Sequence, residues 1–279
     1  MGAVFGLLCL PGLSLGAGRC DHLLSRSWAQ PVSTTEKTAA IPVLPVKLVG
    51  RYPHDPATFT QGLLYHAGNL YESTGLKGQS GLQRIELPSG RIIARRRLAD
   101  TLFGEGLALV NDELVQLTWQ AGLALRYQPQ NLKPLGDFHY PGEGWGLTTL
   151  GQDMIVSDGS ARLRYISVLT HHETRRLEVA AHGQPLTGLN ELETVDGQLF
   201  ANIYPGDCIA RIDPASGQVT GWLDIAHLLP LADRPDSSAV ANGIAWDSDR
   251  RELLVTGKFW PYIYRLKLKK SLTPAANSD

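Results

Sequence analysis

Short runs of alternating apolar and polar residues fill the chain from about Val43 to Leu268. NLYESTG, LQRIEL, RIIARRRL, ELVQLTW, ALRYQP, MIVSDG, QLFANIY, CIARID and ELLVTGKF all carry the period-two pattern of half-buried strands. Turn chemistry breaks them, at His66–Gly68, Pro88-Ser89-Gly90, Asp196-Gly197 and Pro214 to Gly217. Helical periodicity is nearly absent. DIAHLLPLAD (Asp224–Asp233) offers about one turn before Pro230 limits it. The pattern predicts an all-β chain.

A larger repeat organises these strands. FTQGLLY, FGEGLAL, EGWGLTTL, GLNELETV and VANGIAWD recur about every 40–50 residues, with Gln61, Glu105, Trp145, Asn190 and Asn242 at the same point of each. Four of the five precede a Gly and an aliphatic residue; after Asn190 the Gly is replaced by Glu191. Each full unit reads as four strands. The second is GEGLALV, ELVQLTWQ, LALRYQPQ and PLGDFHY; the fourth is ELETV, QLFANIY, CIARIDP and VTGWLDI. The fifth unit is one strand short, and VKLVGRY (Val46–Tyr52) can supply it from the other end of the chain. The expectation is a five-bladed β-propeller over residues 43–268, closed by an N-terminal strand. In such a fold the marked residues sit on the innermost strands and line the axis, where Glu105 is their single carboxylate.

Composition adds bounds. At 279 residues, 43% hydrophobic and 19% charged, there is room for one large domain. A formal net charge of −1 leaves no footprint for nucleic acid or anionic lipid, and Arg95-Arg96-Arg97 reads as a solvated strand face. Residues 1–18 are apolar, Gly-rich and end in small residues, as in a signal peptide, although a retained N-terminal anchor stays open because no Lys or Arg precedes Arg19. Residues 19–42 read as a flexible lead-in and 269–279 as a disordered tail. A secreted or periplasmic monomer is expected. Cys9 lies in the leader, and Cys20 and Cys208 are too few for a disulfide framework. Cys20 reads as an unpaired thiol and Cys208 as a small buried apolar residue.

The motifs HDPxxFTQGL (His54–Leu63), YESTG (Tyr71–Gly75), FGEGL (Phe103–Leu107), LTW (Leu117–Trp119), GEGWGL (Gly142–Leu147), LNELE (Leu189–Glu193), CIARIDPASGQVTGW (Cys208–Trp222), NGIAWD (Asn242–Asp247) and VTGKFWPYIY (Val255–Tyr264) follow one another through the domain. In this order the chain resembles the plant-type glutaminyl-peptide cyclotransferases of plants and bacteria. The resemblance implies conversion of N-terminal glutamine of peptides or proteins to pyroglutamate, with ammonia released. It makes Glu105 the catalytic acid/base; by position alone Glu105 is equally a carboxylate tying loop amides together. It makes Gln61, Phe103, Trp119, Trp145, Asn190 and Lys258 substrate-binding. Without it, Asn190 reads as a turn residue, Lys258 as a solvated strand lysine and the aromatics as packing. The chain departs from the family where Asn202-Ile203-Tyr204 replaces Asn-any-Trp, so Tyr204 is expected at the pocket rim in place of an indole.

No His/Cys set has zinc-ligand spacing: His171-His172 are adjacent, and His54 and His66 lie beside turns. No cofactor is expected to be required for catalysis. A structural calcium in the channel, known in some plant members, is left open, with Glu191 and Glu193 as acids able to face it. Two other readings compete: a non-catalytic propeller binding a peptide or protein partner, and a calcium-dependent lactonase-like hydrolase. The latter needs several acids converging on the axis, and the marked set has one.

Overall fold

The computed structural model describes residues 40–268. Five four-stranded antiparallel sheets form five blades. Blade I comprises Thr60–His66, Asn69–Thr74, Gly81–Glu86 and Arg91–Arg97; blade II comprises Gly104–Val110, Glu113–Thr118, Leu123–Tyr127 and Pro134–His139. Blade III is Leu147–Leu150, Asp153–Val156, Arg162–Ser167 and Glu173–Glu178, and blade IV is Leu189–Val195, Gln198–Ile203, Cys208–Ile212 and Val219–Asp224. Blade V takes Ala241–Asp247, Glu252–Gly257 and Tyr262–Leu268 from the end of the domain and Val46–Pro53 from its start. That last strand pairs antiparallel with Tyr262–Leu268, from Val46 opposite Leu268 to Pro53 opposite Tyr262. The predicted closure is therefore the observed one.

Alternation explains where the apolar residues go. One face of each sheet packs on the preceding blade and the other on the following blade. The core is accordingly divided into five interblade layers. Leu63, Leu70 and Ile85 of blade I meet Ala245, Leu254 and Ile263 of blade V, with Tyr52 from the closing strand. Leu82 of blade I meets Leu107 and Leu114 of blade II. Blades II and III share Val115, Leu117, Met154 and Val156. Blades III and IV share Ile155, Leu163, Leu192 and Trp222, and blades IV and V share Phe200, Leu223, Ile244 and Val255. No blade face is left without a partner, which is what closure supplies to an antiparallel sheet.

The Gly of the repeat has a steric cause. A Cβ on Gly62 would lie 2.7 Å from the Leu107 nitrogen, one on Gly106 2.4 Å from the Leu147 nitrogen, and one on Gly146 2.0 Å from the Asn190 carbonyl oxygen. Blades I, II and III thus pack this glycine directly on the backbone of the next blade. Gly146→Ala is expected to cost about 1–3 kcal/mol or more, as overpacking against unyielding backbone does. Urea unfolding of the two proteins checks this.

Four details lie beyond the sequence pattern. Before entering blade V the chain runs along the outer edge of blade IV, where Leu44 N–H donates to the Trp222 carbonyl (2.7 Å) and Trp222 N–H to the Pro42 carbonyl (2.9 Å). A two-stranded ribbon, Ala180–Ala181 with Gln184–Pro185, joins blades III and IV, and the 3-10 turn at Leu231–Asp233 starts after Pro230. Cys208 is disulfide-bonded, which corrects its reading as a plain apolar residue. Cys9 and Cys20, with the leader, most of the lead-in and the tail, lie outside the described residues.

Candidate active site

Four of the five repeat residues stand at a β-bulge. Register shifts interrupt the inner strands between Thr60 and Gly62, Gly104 and Leu107, Leu189 and Leu192, and Ala241 and Ile244. A bulge inserts a residue without a ladder partner and re-aims its side chain. Gln61, Glu105, Asn190 and Asn242 are brought together this way at one end of the axis. Trp145 lies two residues before the third inner strand, its N–H donating to the Ser157 carbonyl at 2.9 Å.

Glu105 is 4% exposed, and its Oε2 is buried with no hydrogen-bond partner. Burial pushes its carboxyl well above the usual carboxylate range; Lys258 and Gln61 oppose that rise and the Glu143 charge adds to it. Gln61 is oriented from behind, its Oε1 accepting from Asn242 Nδ2 at 2.9 Å. Lys258 follows the second strand of blade V and is 6% exposed. Burial lowers its ammonium to about 8, against the pull of Glu105. Its Nζ lies 4.6 Å from the centre of the Phe59 ring and 5.0 Å from that of Tyr204, a cation–π cage.

The aromatics form two arcs around this pair. Phe259, Phe59, Phe103 and Trp119 contact in series, with ring centroids 5.3, 6.2 and 5.6 Å apart. Trp145 and Tyr204 form the second arc, edge to face at 6.0 Å. Glu143 joins the arcs on one side, accepting from both Trp119 Nε1 (2.9 Å) and Trp145 Nε1 (3.1 Å). Lys258 joins them on the other. Asn190 is 3% exposed, and its carboxamide makes no hydrogen bond among the described residues. Its backbone carbonyl is held by Ser157 Oγ at 2.6 Å, and the same hydroxyl accepts from Gly146 N–H at 2.7 Å. A buried carboxylate with an unused oxygen, an unused amide and a caged ammonium thus share one aromatic-lined mouth.

Further down the axis Glu191, standing where the other units have Gly, reaches across the channel. Its two oxygens accept from Leu63 N–H (3.2 Å, blade I) and Ile244 N–H (2.8 Å, blade V). Burial, then the charge of Glu193, raises its carboxyl well above the usual range despite these bonds. Glu193 accepts from Trp246 N–H at 2.9 Å. Through these bonds Glu191 straps blade IV to blades I and V, and Glu193 straps it to blade V. No group of three or more His, Cys, Asp or Glu side chains suited to a metal occurs among the described residues.

With this geometry in view, the profile of the glutamine cyclotransferase family matches residues 22–268. The chain belongs to that family. A glutaminyl-peptide cyclotransferase of Arabidopsis thaliana is 40% identical over 237 residues, covering 83% of this chain and 74% of the relative. The crystal structure of Myxococcus xanthus glutaminyl cyclase superposes with a TM-score of 0.76 at 34% identity, covering 82% of this chain and 98% of that one. The family fold and the five-bladed ring read from the repeat are the same architecture.

The mouth gathers Gln61, Glu105, Phe103, Trp119, Trp145, Tyr204 and Lys258 through the contacts above, with Asn190 on the neighbouring bulge. Trp222, fully buried in blade IV, belongs to the core between blades III and IV. Sequence reading missed Phe59, Phe259 and Glu143. Phe59 and Glu143 each sit two residues before a marked position, inside FTQG and GEGWG, so the motif itself held a signal. Phe259 likewise follows Lys258 inside VTGKFWPYIY; its backbone is left-handed, at φ +61°, and its ring contacts Phe59.

Proposed function

We propose that this cyclotransferase-family chain converts N-terminal glutamine of peptides and proteins to pyroglutamate, with Glu105 as the one proton carrier and no metal in the chemistry. The observation that carries the assignment of Glu105 is its buried, half-unpartnered carboxylate at the aromatic mouth. The substrate's neutral α-amine attacks its own γ-carboxamide carbon; the new N–C bond closes the ring as the old C–N bond to the amide nitrogen breaks. Glu105 takes the proton that the amine sheds and gives it to the departing nitrogen, which leaves as ammonia. Burial that raises the carboxyl well above 4.5 makes Glu105 a stronger base toward the amine proton than an exposed carboxylate, as proton transfer from the amine requires. Asn190 supplies an acceptor for the amine and a donor for the γ-carbonyl, and Lys258 holds positive charge beside Glu105. The aromatic arcs grip the curled glutamine side chain and exclude water, so that attack begins from a near-attack conformer.

Ammonia release from a Gln-initiated dipeptide, measured by a coupled assay, tests the reading. The rate is expected to fall on the acid side, where Glu105 loses its base form and the substrate amine is protonated. It is expected to fall again above about pH 8, where Lys258 gives up its charge. Asn190→Ala and Lys258→Ala are expected to weaken turnover less than loss of Glu105, and chelators to leave it largely unchanged. Strong chelator inhibition without unfolding would return the metal-hydrolase reading.

Location outside the cytoplasm, in the periplasm or secreted, is part of the same proposal. The disulfide at Cys208 supports it, since such bonds persist in oxidising compartments.

A further inference from the structure

Glu143 lies in the segment between blades II and III, and that segment is held from several directions. Tyr140 N–H donates to the Gly122 carbonyl (2.9 Å) and Gly144 N–H to the Trp119 carbonyl (3.1 Å). The guanidinium of Arg164, 5% exposed, donates to the Pro141 and Glu143 carbonyls and lies 3.6 Å from Asp158. At Gly144 a Cβ would meet the Tyr140 hydroxyl at 2.4 Å. The carboxylate that this scaffold presents is shared: Oε2 accepts from both indoles and Oε1 from Gln120 Nε2 at 3.1 Å.

We infer that Glu143 is a positioning residue whose carboxylate pins Trp119 of blade II and Trp145 of blade III into one continuous wall of the substrate pocket. The inference rests on the cyclisation reading for its substrate but on geometry for the clamp. Among the described residues the ring–ring contacts of Trp119 stay within the first aromatic arc and those of Trp145 within the second, so Glu143 is the direct link between the arcs on this side. Each indole N–H is a donor with no acceptor role, and a carboxylate oxygen is an acceptor able to take two. Charge-assisted bonds of this kind are the stronger ones. Burying the same faces without that acceptor would leave two donors unpaired at the rim.

Glu143 also bears on Glu105 through space. The groups facing Glu105 are Gln61 from blade I, Lys258 from blade V, and Glu143 and Tyr140 from the segment before blade III. Lys258 and Gln61 favour the ionised form of Glu105, and the Glu143 charge disfavours it. Removing that charge while keeping the acceptor therefore separates the two effects.

The experiment compares the wild type with Glu143→Ala, Glu143→Gln and Glu105→Gln, each checked by far-UV circular dichroism. Kinetics on a Gln-initiated dipeptide are taken across pH, and intrinsic tryptophan emission without substrate. Glu143→Ala is expected to raise KM about tenfold or more, the equivalent of losing a charge-assisted hydrogen bond, and to shift tryptophan emission. Glu143→Gln keeps one oxygen able to accept from both indoles. It is expected to raise KM less than the alanine variant and to move the acid limb of kcat/KM to lower pH, the substrate's own limb being common to all variants. Glu105→Gln should lose turnover with its emission unshifted. A Glu143→Ala protein with wild-type KM and emission would overturn the clamp. An acid limb unmoved in Glu143→Gln would overturn the influence on Glu105. If the wild type itself released no ammonia, the cyclisation reading would fail, while the emission comparison would still decide the clamp.

Discussion

Ammonia release from a Gln-initiated dipeptide is expected to fall by about 10²–10⁴-fold or more in Glu105→Gln, the range that one general acid–base group contributes. The amide keeps the size of the side chain and can still meet Gln61, so the blade packing around Leu107 and Leu114 has no reason to change. What it cannot do is accept a proton from the amine or hand one to the leaving nitrogen. Thermal unfolding should change little or rise slightly. A buried carboxyl with one unpartnered oxygen contributes little to stability, and a neutral group costs less to bury. The measurement is single-turnover ammonia release with a melting curve on the same preparation. A variant that turns over at a near wild-type rate would move the proton transfer to another group. Lys258 is the obvious alternative, since burial has already brought its ammonium to about 8.

The ring was legible in the sequence because it follows from local patterns. Period-two alternation gives strands, Pro and Gly clusters give turns, and the recurring X-Gly-aliphatic step marks the innermost strand of each unit. The same step carried most of the site. What looked like a repeat signature is a bulge, and it places Gln61, Glu105, Asn190 and Asn242 side by side. The glycines beside Gln61 and Glu105 are close contacts between blades. Glu191 shows the limit of pattern reading. It looked like an imperfect repeat and an acid available to a metal, yet its carboxylate bonds to amides of blades I and V, an arrangement set by closure of the ring. Glu143 was passed over for a related reason. An acidic residue in a Gly-rich segment reads as solvated, and only the folded chain brings two indoles from different blades onto one of its oxygens.

His54 lies beside a turn, as its sequence context reads, and is also buried in the seam where the ring closes. Its Nδ1 lies 2.6 Å from the Trp260 carbonyl oxygen and its Nε2 3.0 Å from Glu72 Oε1. With Glu72 ionised both partners accept, and an imidazolium donating through both nitrogens matches them; the shifts of the two groups run in the direction of that charged pair. Glu72 is further bound by Thr60 Oγ1 (2.6 Å) and Gln83 Nε2 (2.6 Å), and neither charge reaches solvent. Burial pulls the His54 pKa down, but the Glu72 charge and hydrogen bond, with the Trp260 carbonyl, carry it above 6.5. Burial pushes Glu72 up, but the His54 charge and the three side-chain bonds hold it below 4.5. His54→Leu is therefore expected to cost about 3–5 kcal/mol, since it strands a carboxylate inside blade I. The double variant His54→Leu/Glu72→Leu should recover much of that loss.

The sign of the pH dependence follows from the two directions. The raised His54 pKa contributes stability that is full below 6.5 and is lost as pH rises through the folded value. The lowered Glu72 pKa contributes stability that is full above 4.5 and is lost as pH falls through its folded value. Both contributions are complete only between these limits, so the gap in unfolding free energy between the wild type and the double variant should be largest between pH 4.5 and 6.5 and shrink on either side. Urea titrations at several pH values provide the test. A gap that does not vary with pH would mean that the pair is buried as neutral partners. A His54→Leu protein as stable as the wild type would remove the pair from the closure altogether. The expected outcome ties ring closure to a charge: blade V is zipped by the strand Val46–Pro53, and the residue that follows that strand carries the ion that fixes blade V to blade I.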